Sequence, residues 1–180
     1  MHKVRALVLA LLLVGLAGFS GKPAAARDLP QSAAAAIRDA TGRVVGNALF
    51  TAVGMGTVRV QVWAGGLPPG EHGIHVHAVG ACTPDFAAAG PHFNPTGQQH
   101  GLNNPAGPHA GDMPALVIGA DGNGMLDALT PRVSLAAGAR SLFDADGSAI
   151  VIHARPDDQV TDPSGNTGDR IACGVIGMLP

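Results

Sequence analysis

Two histidines stand two residues apart in the segment 73–77, and a third follows fifteen residues later in a proline-containing segment, 90–95. The three residues are His75, His77 and His92. Side chains two apart on a β-strand point to the same face, so His75 and His77 can direct two imidazoles at one metal ion. Such a pair alone is weak support for a metal site, and the other potential ligands of the chain decide the interpretation.

The chain carries enough further histidines to complete a site of this kind. It has eight in all, and those that follow His92 are His100, His109 and His153, with Asp112 three residues after His109. Imidazoles combined with one carboxylate form a donor set that suits zinc and copper. Because the chain has only two cysteines, no set of thiolates competes for the metal. The residue types therefore predict a metal centre built mainly from histidines.

Short apolar or alternating runs between turn signals predict that β-strands position these residues. Residues 57–63 place Val58, Val60 and Val62 on one face, which is typical of a half-buried strand. The predicted strands are 32–38, 43–52, 57–63, the segment with His75 and His77, 114–119, 125–130, 148–153 and 170–177. About eight short strands separated by turns predict an all-β sandwich or barrel.

Residues 79–113 form an unusually long connection between predicted strands. The segment is rich in glycine, proline and asparagine and shows no convincing periodicity. Connections of this length in a compact domain are usually functional or disordered. Because His92, His100, His109 and Asp112 all lie in it, we expect metal ligation to supply the order that hydrophobic burial cannot.

The first 26 residues have the features of a secretory signal peptide. A short basic start precedes the apolar run 6–18, and three alanines at 24–26 provide a small-residue cleavage site. An uncleaved membrane anchor is the alternative, but the run is shorter than the roughly 20 residues that span a bilayer. We therefore expect a single mature domain, residues 27–180, secreted across the inner membrane to the periplasm or the exterior without membrane insertion.

The charge of the expected mature chain argues against nucleic acid as a partner. Removal of Lys3, Arg5 and Lys22 leaves 8 basic against 13 acidic side chains, a net charge of about −5, and no lysine. Binding to phosphate backbones normally requires basic patches. A mature length of about 154 residues suits one domain with one core.

Cys82 and Cys173 are the two cysteines of the chain. Because a signal peptide leads to an oxidising compartment, we expect them to form a disulfide. The alternative is a pair of buried free thiols. A disulfide would tie the long histidine-containing loop to the last predicted strand.

Taken in order, these segments resemble the copper/zinc superoxide dismutases, in particular the secreted bacterial kind. The resemblance runs from about residue 33 to residue 177, and it rests on 73–77, 90–95, His100, 109–112, His153 and 165–177. It implies an all-β fold, an eight-stranded antiparallel Greek-key β-barrel or sandwich with long metal-binding and active-site loops. No single segment is decisive, but their ordered combination is specific.

The resemblance also implies two metal sites that share one ligand. The implied copper ligands are His75, His77, His92 and His153, and the implied zinc ligands are His92, His100, His109 and Asp112. His92 would bridge the two metals as an imidazolate. Asp157 would accept ring N–H bonds from His75 and His100 and so link the two sites.

The implied activity is the conversion of superoxide to oxygen and hydrogen peroxide, a form of antioxidant defence. Copper would alternate between Cu(II) and Cu(I), zinc would be structural, and the catalytic residues would be His92 and Arg170, the latter attracting the superoxide anion. The competing hypothesis is a non-enzymatic metal buffer or copper-delivery module on the same fold. Because all seven ligands and Arg170 are present, the sequence favours the enzyme. It leaves open whether the protein forms a homodimer.

Overall fold

The computed structural model describes residues 31–180, so the expected signal peptide at 1–26 lies outside the described residues. The strands are β1 Ser32–Asp39, β2 Val44–Gly54, β3 Thr57–Gly65, β4 Gly70–His72, β5 Ile74–His77, β6 Leu116–Ile118, β7 Asn123–Thr130, β8 Ala149–His153, β9 Arg170–Val175 and β10 Gly177–Met178. A 3-10 helix covers Phe86–Ala89. Within residues 31–180, no helix has the length and apolar character needed to cross a membrane.

The strands form one nearly closed antiparallel barrel. Their order is β4-β6-β7-β3-β2-β1-β9-β8-β5, and the short β10 pairs with the start of β1. The first and last strands of this order, β4 and β5, are separated in the chain only by Gly73, so the backbone itself joins the two ends. The predicted all-β antiparallel barrel is confirmed.

Residues 31–180 form ten strands rather than eight, because the predicted strand 170–177 is divided into β9 and β10 and the predicted strand that carries His75 and His77 is divided at Gly73. Its peptide group turns from β6 towards β8, donating to the Arg155 carbonyl at 2.9 Å and accepting from the His153 N–H at 2.8 Å. A Cβ atom at position 73 would overlap the side chain of Thr167. Only glycine fits this close approach, and β4 and β5 together correspond to the single expected strand.

The inner faces of the strands form the hydrophobic core. On β3, Val58, Val60 and Val62 are at most 1% exposed, whereas Arg59 and Trp63 face outward. This is the alternation that the sequence predicts, and it confirms the half-buried character of β3. Burial of each such valine contributes roughly 1.5–3 kcal/mol of hydrophobic stabilisation.

Strands β5 and β8 are buried along their whole length. Ile74 and Val76 of β5 enter the core. The residues between them in the sequence, His75 and His77, point to the opposite face. That face is buried as well, because the two long loops of the molecule, 78–115 and 154–169, cover it. The imidazoles therefore lie in a buried layer between the barrel and these loops.

Cys82 and Cys173 form the predicted disulfide, with their Cα atoms 5.8 Å apart. The bond joins the loop after β5 to β9 and packs in a small apolar cluster with Ala89, Ala149 and Val151. Closing a loop of 91 residues restricts the unfolded chain by an amount worth about 4–5 kcal/mol in the chain-entropy description. The disulfide anchors one end of the histidine-containing loop.

Candidate metal centre

Backbone pairing places the loop residues beside the histidines of β5. Isolated bridges align His92 with His77 and Asp112 with His75. The peptide of Val76 between them accepts from the Phe93 N–H and donates to the Gly111 carbonyl, both at 2.9 Å. The segments around His92 and Asp112, which are far apart in the long loop, therefore both pair with β5.

The first group of donor atoms consists of four buried histidines. They are His75, His77, His92 and His153, and their donor atoms lie within 4.8 Å of one another. Nε2 of His77 is 3.4 Å from Nε2 of His153. Nδ1 of His75 and Nε2 of His92 are buried and have no hydrogen-bond partner among residues 31–180. Buried polar atoms are rarely left unpaired, so the orphaned nitrogens fit a metal ligated by nitrogen, as copper is.

The outer nitrogens of these rings are held by fixed acceptors. His75 Nε2 donates to Asp157 Oδ2 at 2.6 Å, and His77 Nδ1 donates to the Gly90 carbonyl at 2.9 Å. His153 Nδ1 lies 3.3 Å from the Gly168 carbonyl. A proton on the outer nitrogen leaves the inner lone pair free for a metal.

The second group surrounds one carboxylate oxygen, Oδ1 of Asp112. Nδ1 of His92 and Nδ1 of His100 each lie 3.0 Å from it, and Nδ1 of His109 lies 3.4 Å from it. Nδ1 of His109 is also 3.4 Å from Nδ1 of His92. A tetrahedral zinc ion with bonds of about 2.0–2.1 Å spaces its ligand atoms about 3.3–3.4 Å apart. The four donors therefore fit zinc.

Proximity alone would also group His75 with His92, His100 and Asp112. However, Nε2 of His75 donates to Asp157 and is therefore not available to a metal. His75 therefore belongs with the first group, through its unpaired Nδ1. His92 alone presents one nitrogen to each group.

Asp112 is held in one orientation by the surrounding chain. Its Oδ2 accepts the N–H groups of Gly101 at 2.8 Å and His109 at 2.9 Å. Burial alone would raise the pKa of Asp112, but hydrogen bonds from His100 and His92 hold it far below the usual range. The side chain is therefore ionised and can serve as an anionic ligand.

Asp157 connects the two groups of donor atoms through hydrogen bonds to one histidine of each. Its fully buried side chain accepts from His75 Nε2 through Oδ2 and from His100 Nε2 through Oδ1, at 2.6 and 3.0 Å. Burial opposes ionisation, yet these hydrogen bonds from His100 and His75 lower the pKa of Asp157. One carboxylate thus orients a ring from each group.

Protonation in the metal-free protein differs between the groups. Burial lowers the pKa of His75 to about 3, of His77 to about 2 and of His153 to about 4, so these rings are neutral at neutral pH. Burial also acts to lower the pKa of His100, but hydrogen bonds with Asp112 and Asp157 outweigh it and raise the pKa to about 9. Metal binding at the second group must displace a proton from His100.

Arg170 begins β9 opposite His153 in the register with β8. Its Nη1 donates to the Phe86 carbonyl and its Nη2 to the Gly90 carbonyl, both at 2.7 Å. The Gly90 carbonyl also accepts from His77 Nδ1. The guanidinium is therefore fixed next to the first group, and it shares an acceptor with one of its rings.

The structure also reveals supporting residues that sequence reasoning missed. Arg132 Nη2 donates to the Asp112 carbonyl at 2.7 Å. Asp162 accepts the His100 N–H at 2.7 Å, and its Oδ1 lies 3.6 Å from Nε2 of His109. No motif or spacing marks these residues, because each reaches its partner across the fold.

The fold and the donor atoms define a β-barrel protein with an imidazole-rich cluster, in which His92 presents one nitrogen to each of two groups of potential metal ligands. The family model described as copper/zinc superoxide dismutase (SODC) matches residues 44–176. The chain belongs to the copper/zinc superoxide dismutase family.

Similar proteins cover most of the chain. Superoxide dismutase (Cu-Zn) 2 of Aquifex aeolicus is 44% identical over 179 residues, 98% of this chain and 99% of the relative. The superoxide dismutase (Cu-Zn) of Caulobacter vibrioides is 43% identical over 149 residues, 81% of this chain and 85% of the relative. A crystal structure of a SOD-like protein from Bacillus subtilis aligns with a TM-score of 0.75 at 39% identity, covering 78% of this chain and 95% of that one.

Proposed function

We propose that this protein is an enzyme that converts two superoxide anions and two protons to oxygen and hydrogen peroxide, with copper and zinc as cofactors. The observation that carries the proposal is the placement of His92, which directs Nε2 to the histidine group and Nδ1 to the group around Asp112. A simple metal buffer has no need of a ring shared between two different donor sets. In the cell the reaction would serve antioxidant defence.

The proposed ligand sets follow the two groups. Copper ligands are His75, His77, His92 and His153, and zinc ligands are His92, His100, His109 and Asp112. Bound copper supplies a one-electron redox couple, and bound zinc supplies a fixed positive charge that favours the imidazolate form of His92. The nitrogen-only first group and the closed, carboxylate-containing second group match these different tasks.

The residues of the chain have distinct tasks in this proposal. Arg170 attracts and orients the anion, since its guanidinium is held by two carbonyls and retains free donors. His92 can hold and release a proton at Nε2 while Nδ1 stays on the zinc side. Asp157 keeps His75 and His100 in the tautomers that direct their other nitrogens inward.

The test is an assay of superoxide removal by protein loaded with one copper and one zinc per chain, with occupancy verified by elemental analysis. We expect activity far above that of free copper at the same concentration. A fully loaded protein no more active than free copper would refute the enzyme and leave the metal-buffer hypothesis.

We also propose that residues 1–26 are removed on export and that residues 27–180 act in the periplasm or outside the cell, as one domain. The Cys82–Cys173 disulfide supports this, because such bonds persist mainly in oxidising compartments. The intact mass of protein from the periplasmic fraction tests the cleavage. We propose no nucleic-acid partner, and sedimentation velocity tests whether the mature protein forms a homodimer.

A further inference from the structure

Gln159 joins the loop 154–169 to the loop that carries the second donor group. Its side-chain Oε1 accepts the Leu102 N–H, and its Nε2 donates to the Met113 carbonyl, both at 3.1 Å. Its backbone carbonyl accepts the Asn103 N–H at 3.0 Å. One residue thus contacts the loop at two places that are far apart in sequence.

Both contacts of the amide lie one or two residues after proposed zinc ligands. Leu102 is two residues beyond His100, and Met113 directly follows Asp112. The backbone N–H of Gln159 donates to Asp157 Oδ1 at 2.7 Å, the oxygen that also accepts from His100 Nε2. The residue therefore links the outer carboxylate to both segments.

The local backbone is shaped to allow these contacts. Gln159 has a φ of 60°, which is unfavourable for a residue with a side chain. Gly101, between His100 and Leu102, approaches so closely that a Cβ there would overlap the Gln159 carbonyl oxygen. Backbone strain of this kind persists only where surrounding contacts determine it.

We propose that Gln159 is a positioning residue for the zinc site, its amide holding the His100 and Asp112 segments at the spacing that zinc requires. The inference rests on the proposed zinc ligands. Between Phe93 and Ala110, the loop that carries the second donor group contributes no side chain to the hydrophobic core of the described residues. Polar contacts such as these must therefore keep its ligands in register when the metal leaves. Loss of the amide should therefore shorten the residence time of zinc.

Gln159→Met tests the inference, because methionine has a similar length but cannot form either hydrogen bond. The matched control is Gln98→Met in the loop 78–115, which carries the second donor group; the Gln98 side chain is exposed and makes no hydrogen bond within residues 31–180. The measurements are zinc stoichiometry, the rate of zinc transfer to a chromophoric chelator, and the visible absorption of Co(II) bound in place of zinc.

We expect Gln159→Met to release zinc about tenfold faster than the parent protein, with weakened tetrahedral Co(II) bands, and Gln98→Met to match the parent. Gln159→Gly is the second variant. It relieves the unfavourable φ but also lacks the amide, so metal-free stability should be maintained while zinc release is still accelerated.

Release rates for Gln159→Met and Gln159→Gly within twofold of the parent would overturn the inference while leaving the ligand set intact. Equal acceleration in Gln98→Met would also overturn it, since the effect would then belong to any change in the loop. If the parent protein bound no zinc, the ligand proposal itself would fail, and this inference with it.

Discussion

Replacement of Asp157 by asparagine tests how this carboxylate links the two groups of proposed metal ligands. The buried carboxylate accepts ring N–H groups from His75 at 2.6 Å and from His100 at 3.0 Å. An asparagine amide has one oxygen and can serve only one of these rings. A buried donor without an acceptor costs about 1–3 kcal/mol, which corresponds to about a 5- to 150-fold loss of metal affinity.

The loss of the carboxylate should disturb the orientation of the His100 ring more than that of the His75 ring. His75 belongs to β5, and its backbone is fixed by pairing with Val151 of β8. His100 lies in an irregular loop, and its ring orientation depends on Asp157 and Asp112. We therefore expect Asp157→Asn to weaken zinc binding about 10- to 100-fold and copper binding by a smaller factor.

The affinities can be measured by competition with chelators of known strength. The control is Asp158→Asn, at the neighbouring exposed acid. In the part of the chain that the structure describes, its carboxylate accepts hydrogen bonds only from its own loop, at Val160, Thr161 and Asn166. It should leave both affinities within twofold of the parent protein. A copper loss equal to or larger than the zinc loss in Asp157→Asn would refute the reasoning from strand and loop.

Three further outcomes follow from the site. His153→Ala should abolish copper binding but retain zinc, because His153 lies only in the first group, and elemental analysis decides this. Arg170→Lys should lower the superoxide dismutation rate about tenfold with both metals retained, because lysine lacks the planar guanidinium with its paired donors. The rate can be measured by pulse radiolysis, and an unchanged rate would contradict the proposed role of Arg170. Burial lowers the pKa of His75 to about 3 and of His77 to about 2 in the folded metal-free protein. Below pH ~6.5 the unfolded chain therefore binds more protons than the folded chain does. Metal-free stability in urea should therefore fall as pH drops below ~6.5, and a flat profile down to pH ~5 would contradict it.

Local pattern was enough to predict most strands of the barrel. The alternation of β3 and the His-x-His arrangement of β5 depend on side-chain direction within one strand, which sequence reveals directly. The interruption at Gly73 was not predictable, since it arises from contact with Thr167, almost a hundred residues away. The same holds for β10, a two-residue strand that exists only because β1 is available to pair with it.

The candidate site divides in the same way. The seven potential ligands could be found because imidazole and carboxylate are distinctive residue types and occur in segments that resemble a known family. Arg132, Gln159 and Asp162 could not be found, because they act through amide, guanidinium or carboxylate contacts with backbone groups. Such contacts can be made by many residues on any loop, and only the folded backbone determines which residue makes them.

The disulfide and the fixed arginine form one arrangement around the Gly90 carbonyl. Cys82 packs with Phe86 and Ala89 of the 3-10 helix against β8 and β9. The carbonyls at the start and just beyond the end of that helix, those of Phe86 and Gly90, are the two acceptors of Arg170. Because the Gly90 carbonyl also accepts from His77, loosening this segment would displace the cation and a proposed copper ligand together. We therefore expect the disulfide to bear on the site through this short helix, because it holds the segment whose Gly90 carbonyl accepts from both Arg170 and His77.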